Sequence, residues 1–139
     1  MARDLQDVRV REVMTSDPIT VPGDLSVEDV LHEFMLRYHC SSFPVVDAAG
    51  HVTGLVTLRR LRALPAHRRS TTRVADIAQP MSEVAQAAPD ELLLDVLPRT
   101  ARSQDGRLLV FDADTRLVGI VSSSDIARVV QIAEVEHAR

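Results

Sequence analysis

The chain has 139 residues, 45% of them hydrophobic, which is enough for a domain-sized core and too apolar for a disordered segment. A net charge of −4, 3% aromatic residues and no tryptophan argue against general nucleic-acid binding, since both phosphate attraction and base-stacking platforms are scarce. The single cysteine, Cys40, excludes an intrachain disulfide, no secretory signal opens the chain, and no apolar run approaches the roughly 20 residues of a spanning helix; the segment is expected to work in water, in the cytoplasm.

A helical turn is expected over Val10–Met14, then an extended stretch over Ile19–Val21 that Pro22 and Gly23 end. Ser26 opens a helix, with Asp29 three residues on in the manner of a capping box. Val27, Val30, Leu31, Phe34 and Met35 fall on one face of that helix, which should cover a sheet. Phe43–Asp47 and His51–Thr57 read as a hairpin turning at Asp47–Gly50, and Pro44, which cannot donate to a ladder, predicts an edge strand or an irregular start. A short helix over Leu58–Leu64 follows. From Arg59 to Arg73 there are six arginines and no acid, leaving about −10 on the rest of the chain; with Pro65 and the Ser70–Thr72 run, this stretch reads as a solvated linker.

The second half repeats the order: a turn at Val74–Ile77, a strand near Val84–Ala88, and a helix opened by Asp90 that Pro98 should kink or end, making it shorter than its counterpart. Arg107–Phe111 and Leu117–Val121 form a second hairpin, and a final helix carries Ile126, Val129, Val130 and Ala133 on one face. The copies align at an offset of 64 to 66: Val10–Met14 with Val74–Ala78, Phe43–Asp47 with Leu108–Asp112, and Gly54 with Gly119. A copy of about 60 residues is marginal alone, so the halves are expected to share one core.

Tandem halves of this order, with Phe-Pro-Val-Val-Asp before a hairpin and Gly-Ile-Val-Ser-Ser-Ser-Asp after the second, resemble a CBS-domain pair, or Bateman module. The resemblance implies an α/β fold of two pseudo-symmetric half-domains, residues 1–70 and 71–139, each with a small mixed sheet and two packed helices. Gly-Leu-Val-Thr-Leu-Arg-Arg-Leu from Gly54, followed by the basic linker and Thr71-Thr72-Arg73-Val74, is also similar to the CBS tails of bacterial site-2 intramembrane zinc metalloproteases, whose own His-Glu-x-x-His helix is not in this sequence.

In the family an adenosine nucleotide lies in a cleft between the halves, and the motif's aspartate accepts from the ribose hydroxyls, a task that suits an acceptor-only carboxylate. The resemblance gives that role to Asp125, with Ser122 and Ser124 beside it. Thr15, Cys40, Ser41 and Ser42 would form the other wall; Arg107 would face phosphate, and His39 would be its weaker counterpart. Ser122 and Asp125 also fit a helix-capping pair, and the two roles are compatible. The equivalent site, with Thr57 and Arg60 facing Gln104–Arg107, carries a guanidinium where the ribose acceptor belongs, so it is expected to be empty or altered; Arg60 could instead meet a phosphate or an acidic residue, a solvated arginine being the commoner outcome.

His32 and His39 read as helix-surface residues and Cys40 as a small packing residue; no Gly-x-Ser-x-Gly elbow or metal-ligand spacing is present in the sequence, so catalytic and metal roles are assigned to none. The expected function is a non-catalytic regulatory module for AMP, ADP, ATP or S-adenosylmethionine, acting on an attached membrane protease or another partner. The alternative is a ligand-free dimerisation module. A homodimer is expected through the helices at Leu58–Leu64 and Ile126–Ala133, whose apolar residues outnumber what one small sheet can cover.

Overall fold

The computed structural model of the chain describes residues 5–102 and 105–137, with side chains for all of these except Arg102, Glu136 and His137. Its strands are β1 (Thr15–Ser16), β2 (Val21–Pro22), β3 (Ser42–Val46), β4 (Val52–Thr57), β5 (Gln79–Pro80), β6 (Ala85–Ala87), β7 (Arg107–Phe111) and β8 (Leu117–Ser122). They form two mixed four-stranded sheets, in the orders β2-β3-β4-β5 and β1-β8-β7-β6.

The compact units do not follow the division at residue 70. One unit is Ile19–Val84; the other joins Met1–Pro18 to Ala85–Arg139. Each repeat lends its opening segment to the other repeat's unit. β5 therefore closes the sheet of the first hairpin through Gly54↔Pro80 and Leu55↔Gln79, and β1 closes that of the second through Thr15↔Ile120 and Ser16↔Gly119. The repeated glycines make room for these strands. A Cβ on Gly54 would lie 2.5 Å from the Gln79 carbonyl oxygen, and one on Gly119 would collide with the Met14 side chain.

Among the described residues there are two apolar clusters, each drawing on both repeats. Val74 joins Val27, Phe43, Val45, Val56 and Leu61 in one, and Val10 joins Leu93, Val96, Leu108, Val110 and Val121 in the other. The exchange is fastened by the same backbone bonds in each unit. Val10 N and Arg11 N donate to Glu91 O and Pro89 O while Leu93 N donates to Val8 O; Val74 N and Ala75 N donate to Leu25 O and Gly23 O while Val27 N donates to Thr72 O.

The linker is thus a folded part of the 19–84 unit. After the Leu58–Ala63 helix comes a 3-10 turn at Ala66–Arg68, and the carbonyls of Arg69 and Thr72 accept from Glu28 N and Val27 N. With Ser26 Oγ accepting from Asp29 N at 3.1 Å, these bonds satisfy donors that a helix start leaves orphaned. The helix they open runs over residues 27–38. Its middle, Val30–Met35, takes π-type turns, whose wider spacing brings Val30 and Met35, five apart, both into the core. His32 lies on its exposed side facing Glu28, and His39 ends it in the left-handed region at φ 54°.

Pro44 lies in a central strand, not at an edge. β3 sits between β2 and β4, but its parallel pairing with β2 begins only at Val45, so the donor that Pro44 lacks falls where no neighbour asks for it. Asp90 does not open the next helix. It lies in the preceding turn, where Arg11 pairs with its carboxylate and Arg9 donates to its carbonyl, and the helix runs Leu93–Arg102. That helix passes through Pro98, so the proline removes one donor without ending it.

Arg99, the next residue, clamps this region by donating through Nη1 and Nη2 to the two Glu91 carboxylate oxygens at 2.8 Å each, and through Nη1 to Gln86 O at 2.9 Å. The guanidinium, with the Ala88 amide, holds the Glu91 carboxyl below its ordinary value of 4.5. A carboxyl lowered on folding adds stability above its unfolded pKa and loses it as pH falls through the folded value. Glu91→Gln should therefore be less stable than wild type near neutrality by about 0.5–1 kcal/mol, modest because the pair is partly exposed. Thermal melts across pH should show the difference vanish well below 4.5.

Candidate functional site

Five of the expected site residues, Thr15, Arg107, Ser122, Ser124 and Asp125, fall in the unit that contains β8. β8 ends at Ser122, where the backbone turns directly into the final helix, Ser123–His137. Ser122 donates from both its amide and its Oγ to Asp125 Oδ2, each at 2.9 Å, and its Oγ accepts from Asp125 N at 3.2 Å. This is a reciprocal cap, so the capping role is real. It occupies only one carboxylate oxygen. Oδ1 receives Arg128 Nη2 at 3.4 Å, at the long end of hydrogen bonding, and the Asp125 side chain keeps 17% of its surface open. Oδ1 therefore retains capacity for hydroxyl donors while Oδ2 fixes the carboxylate's orientation.

Arg107 lies directly opposite Ser122 in the β7–β8 register, and its Nη1 donates to Asp105 O at 2.8 Å. Beside it is a contact that sequence reading missed. Ser123 Oγ donates to Gly106 O at 3.1 Å, tying the entry of β7 to the start of the final helix. Gly106 holds φ 63°, and a Cβ there would stand 2.7 Å from Ser123 Oγ. The sequence signal was a glycine immediately before Arg107. Thr15 is exposed on β1 beside Ile120, and Ser124 is exposed on the first turn of the helix. The cluster offers a fixed carboxylate, hydroxyls and a guanidinium, chemistry suited to holding a diol and an anion. Ser122 Oγ bonds a carboxylate already committed to the backbone, which caps a helix and generates no nucleophile.

His39, Cys40, Ser41, Ser42, Thr57 and Arg60 belong to the other unit. Thr57 is buried and caps the Leu58–Ala63 helix by accepting from Arg60 N at 3.3 Å. With Arg60 in the aspartate's place, the reciprocal half of the cap has no carboxylate. Arg60 is half-buried and engaged, so it is not the solvated arginine that is the commoner outcome. Strand register also corrects one equivalence: Ser42↔Thr57 matches Arg107↔Ser122, so Ser42, not His39, is the counterpart of Arg107.

The counterpart of Thr15 is Gln79. Its side chain is 1% exposed, with Nε2 donating to Glu83 O at 3.1 Å and Oε1 unpartnered among the described residues. At three register-matched positions the 19–84 unit thus departs from its twin. Cys40 is exposed, its thiol near Tyr38 O, and Ser41 O accepts from Leu58 N. Gln104 lies outside the described residues. The same unit has a groove of about 810 Å³ lined by Asp24, Asp47, Arg73 and Asp76 among others, and it takes in none of the expected site residues. Among the described residues, no group of three His, Cys, Asp or Glu is placed to hold a metal ion.

The CBS domain profile matches the chain twice, over residues 10–67 and 74–132. A putative zinc metalloprotease, Rip3, of Mycobacterium tuberculosis is 42% identical over 125 residues, covering 90% of this chain and 32% of that protein. A zinc metalloprotease of Methanocaldococcus jannaschii is 25% identical over 95% of this chain and 35% of its own length. The chain thus spans about a third of these two relatives. Among solved structures, CBSX2 in complex with AMP is 27% identical with a TM-score of 0.70, covering 89% of this chain and 97% of that one. The CBS domain of a bacterial CNNM/CorC family Mg2+ transporter in complex with ATP is similar in fold, at 19% identity and TM-score 0.77, covering 93% and 90%.

Proposed function

The chain belongs to the CBS-domain family, with two repeats in tandem, and from that premise we propose that it is a non-catalytic regulatory module binding an adenosine-type nucleotide through the cluster around Asp125. The observation that carries this reading is the geometry at the start of the final helix. Two donors from Ser122 hold Oδ2, while Oδ1 receives only the long 3.4 Å contact from Arg128 and keeps acceptor capacity for a ribose diol, with Arg107 one strand away as a partner for phosphate. The AMP and ATP complexes of CBS domains similar to this chain support an adenosine ligand.

The regulated partner we favour is an attached metalloprotease, because this chain spans about a third of the protease relatives it resembles. We place the module on the cytoplasmic side of that attached protease. Among the described residues no helix is long and apolar enough to cross a membrane. A thermal-shift panel of AMP, ADP, ATP and S-adenosylmethionine tests the binding. A ligand that binds only the folded chain at 100 times its Kd should add about 2.7 kcal/mol of stability and raise the melting point. No shift with any of the four at millimolar concentration would remove the reading.

A second reading, a homodimerisation module, is favoured by the final helix, where Ile132 and Val135, three residues apart, are 53% and 75% exposed. The Leu58–Ala63 helix does not contribute as expected, because Leu58, Leu61 and Leu64 all pack into the core of their own unit. Light scattering at tens of micromolar would show twice the monomer mass if this reading holds, and Val135→Asp would reduce it.

A further inference from the structure

The arginines whose side chains are described elsewhere in the chain all hold a partner, from Arg11 on Asp90 and Arg37 over the Tyr38 ring to Arg99 on Glu91 and Arg128 on Asp125. The stretch 59–73 is different. Arg69 Nε donates to Leu64 O and Arg60 is engaged, but Arg59, Arg62, Arg68 and Arg73 are exposed with no acid, carbonyl or ring partner among the described residues. Arg73 lines the groove beside Asp24 and Asp76. Of the other three, Arg59 and Arg62 share a face of the Leu58–Ala63 helix at i, i+3 spacing, and Arg68 lies in the separate 3-10 turn that follows the extended Leu64–Pro65 step. Their scaffold is fixed, since the linker backbone caps the 27–38 helix through Arg69 O and Thr72 O.

We infer that Arg59, Arg62 and Arg68 form a docking face for an anionic lipid surface, a role independent of nucleotide binding. A protein partner normally supplies and receives large apolar anchors. Among the described residues the exposed large hydrophobic side chains are Leu36, Tyr38, Leu94, Ile132 and Val135, none of them in this stretch. A nucleic-acid strand calls for stacking rings, and no Phe, Tyr or Trp occurs between Leu58 and Arg73. Neither the groove at Asp24, Asp47, Arg73 and Asp76 nor a smaller one at His32, Glu33, Phe34, Arg37 and Tyr38 is lined by Arg59, Arg62 or Arg68, so neither gives these side chains a channel for a strand or peptide. A face of guanidinium groups without apolar anchors matches a plane of lipid phosphates, to which each basic residue contributes independently. The net charge of −4 makes the attraction local, and therefore sensitive to salt.

The test is flotation of the full 139-residue chain with vesicles of phosphatidylcholine alone or with about 30% phosphatidylglycerol, in about 0.05 M and about 0.5 M salt. The chain should float only with the anionic vesicles, and only at low salt. The triple variant Arg59→Ser, Arg62→Ser, Arg68→Ser should bind roughly 100-fold more weakly with an unchanged melting point, because none of the three side chains has a described contact in the fold. Arg59→Lys, Arg62→Lys, Arg68→Lys should bind as wild type does. Failure of the wild type to float, equal flotation of the serine variant, loss of flotation in the lysine variant, or binding to poly-glutamate or duplex DNA in place of the vesicles would each overturn the proposal.

Discussion

Gly54→Ala is expected to destabilise the chain by about 3 kcal/mol, the upper part of the usual overpacking range. The new methyl would stand 2.5 Å from the Gln79 carbonyl oxygen and 3.3 Å from the Ala78 Cβ. The first is backbone, held in a two-residue strand whose register places Gly54 opposite Pro80, so relief requires β5 to leave the sheet. Gly119→Ala meets the Met14 side chain instead, and a thioether can rotate away. That variant should lose only about 1 kcal/mol. Urea titrations of the two variants read the difference directly, and for a chain of this length the melting point of Gly54→Ala should fall by roughly 10 °C. Equal losses, or the reverse order, would contradict the account of why the repeat keeps this glycine.

Asp125→Ala is expected to weaken nucleotide binding by roughly 10-fold to 150-fold, the loss of one charge-assisted hydrogen-bonded contact of about 1.5–3 kcal/mol. Because Asp125 also closes the cap with Ser122, the same variant should lose about 1 kcal/mol of stability. Ser122→Ala separates the two effects. It removes the Oγ bonds of the cap but leaves the Asp125 carboxylate with its Oδ1, so under the proposed binding mode stability should fall while affinity falls far less. Calorimetry showing wild-type affinity in Asp125→Ala would remove Asp125 from the site. Arg60→Asp alone should leave one nucleotide per chain, because the same unit also has Ser42 in place of Arg107 and the buried Gln79 in place of Thr15. A stoichiometry of two in that variant would show that Arg60 alone alters the second site.

Much of this architecture was legible in the residues. The period of the repeat, the hairpins at Asp47 and Asp112, and the apolar face of the 27–38 helix are local patterns, and local hydrogen bonding enforces them. Asp47 Oδ1 accepts from Ala49 N and His51 N just as Asp112 Oδ1 accepts from Asp114 N and Arg116 N, each an acid folding its own turn. The Ser122–Asp125 cap was legible for the same reason, since the two are three residues apart at a strand-to-helix junction, whereas the ligand role given to Asp125 came from the family resemblance and not from the spacing.

The pairing of each repeat's opening segment with the other repeat's hairpin was not visible, because nothing local distinguishes a strand of two residues that closes its own sheet from one that closes its twin's. That choice rests on long-range contacts: the clearance over Gly54 and Gly119, and the backbone bonds from Val10 to Glu91 and from Val74 to Leu25. Pro44 in a central strand and Pro98 inside a helix follow from tertiary placement as well. A missing donor costs little where no neighbour needs it, and whether a neighbour is there is decided only when the sheet and its covering helix are assembled. By itself the sequence determined the repeat, its elements and the one acid that its twin lacks; which segment completes which sheet, and which arginines are left without a partner, were decided by packing.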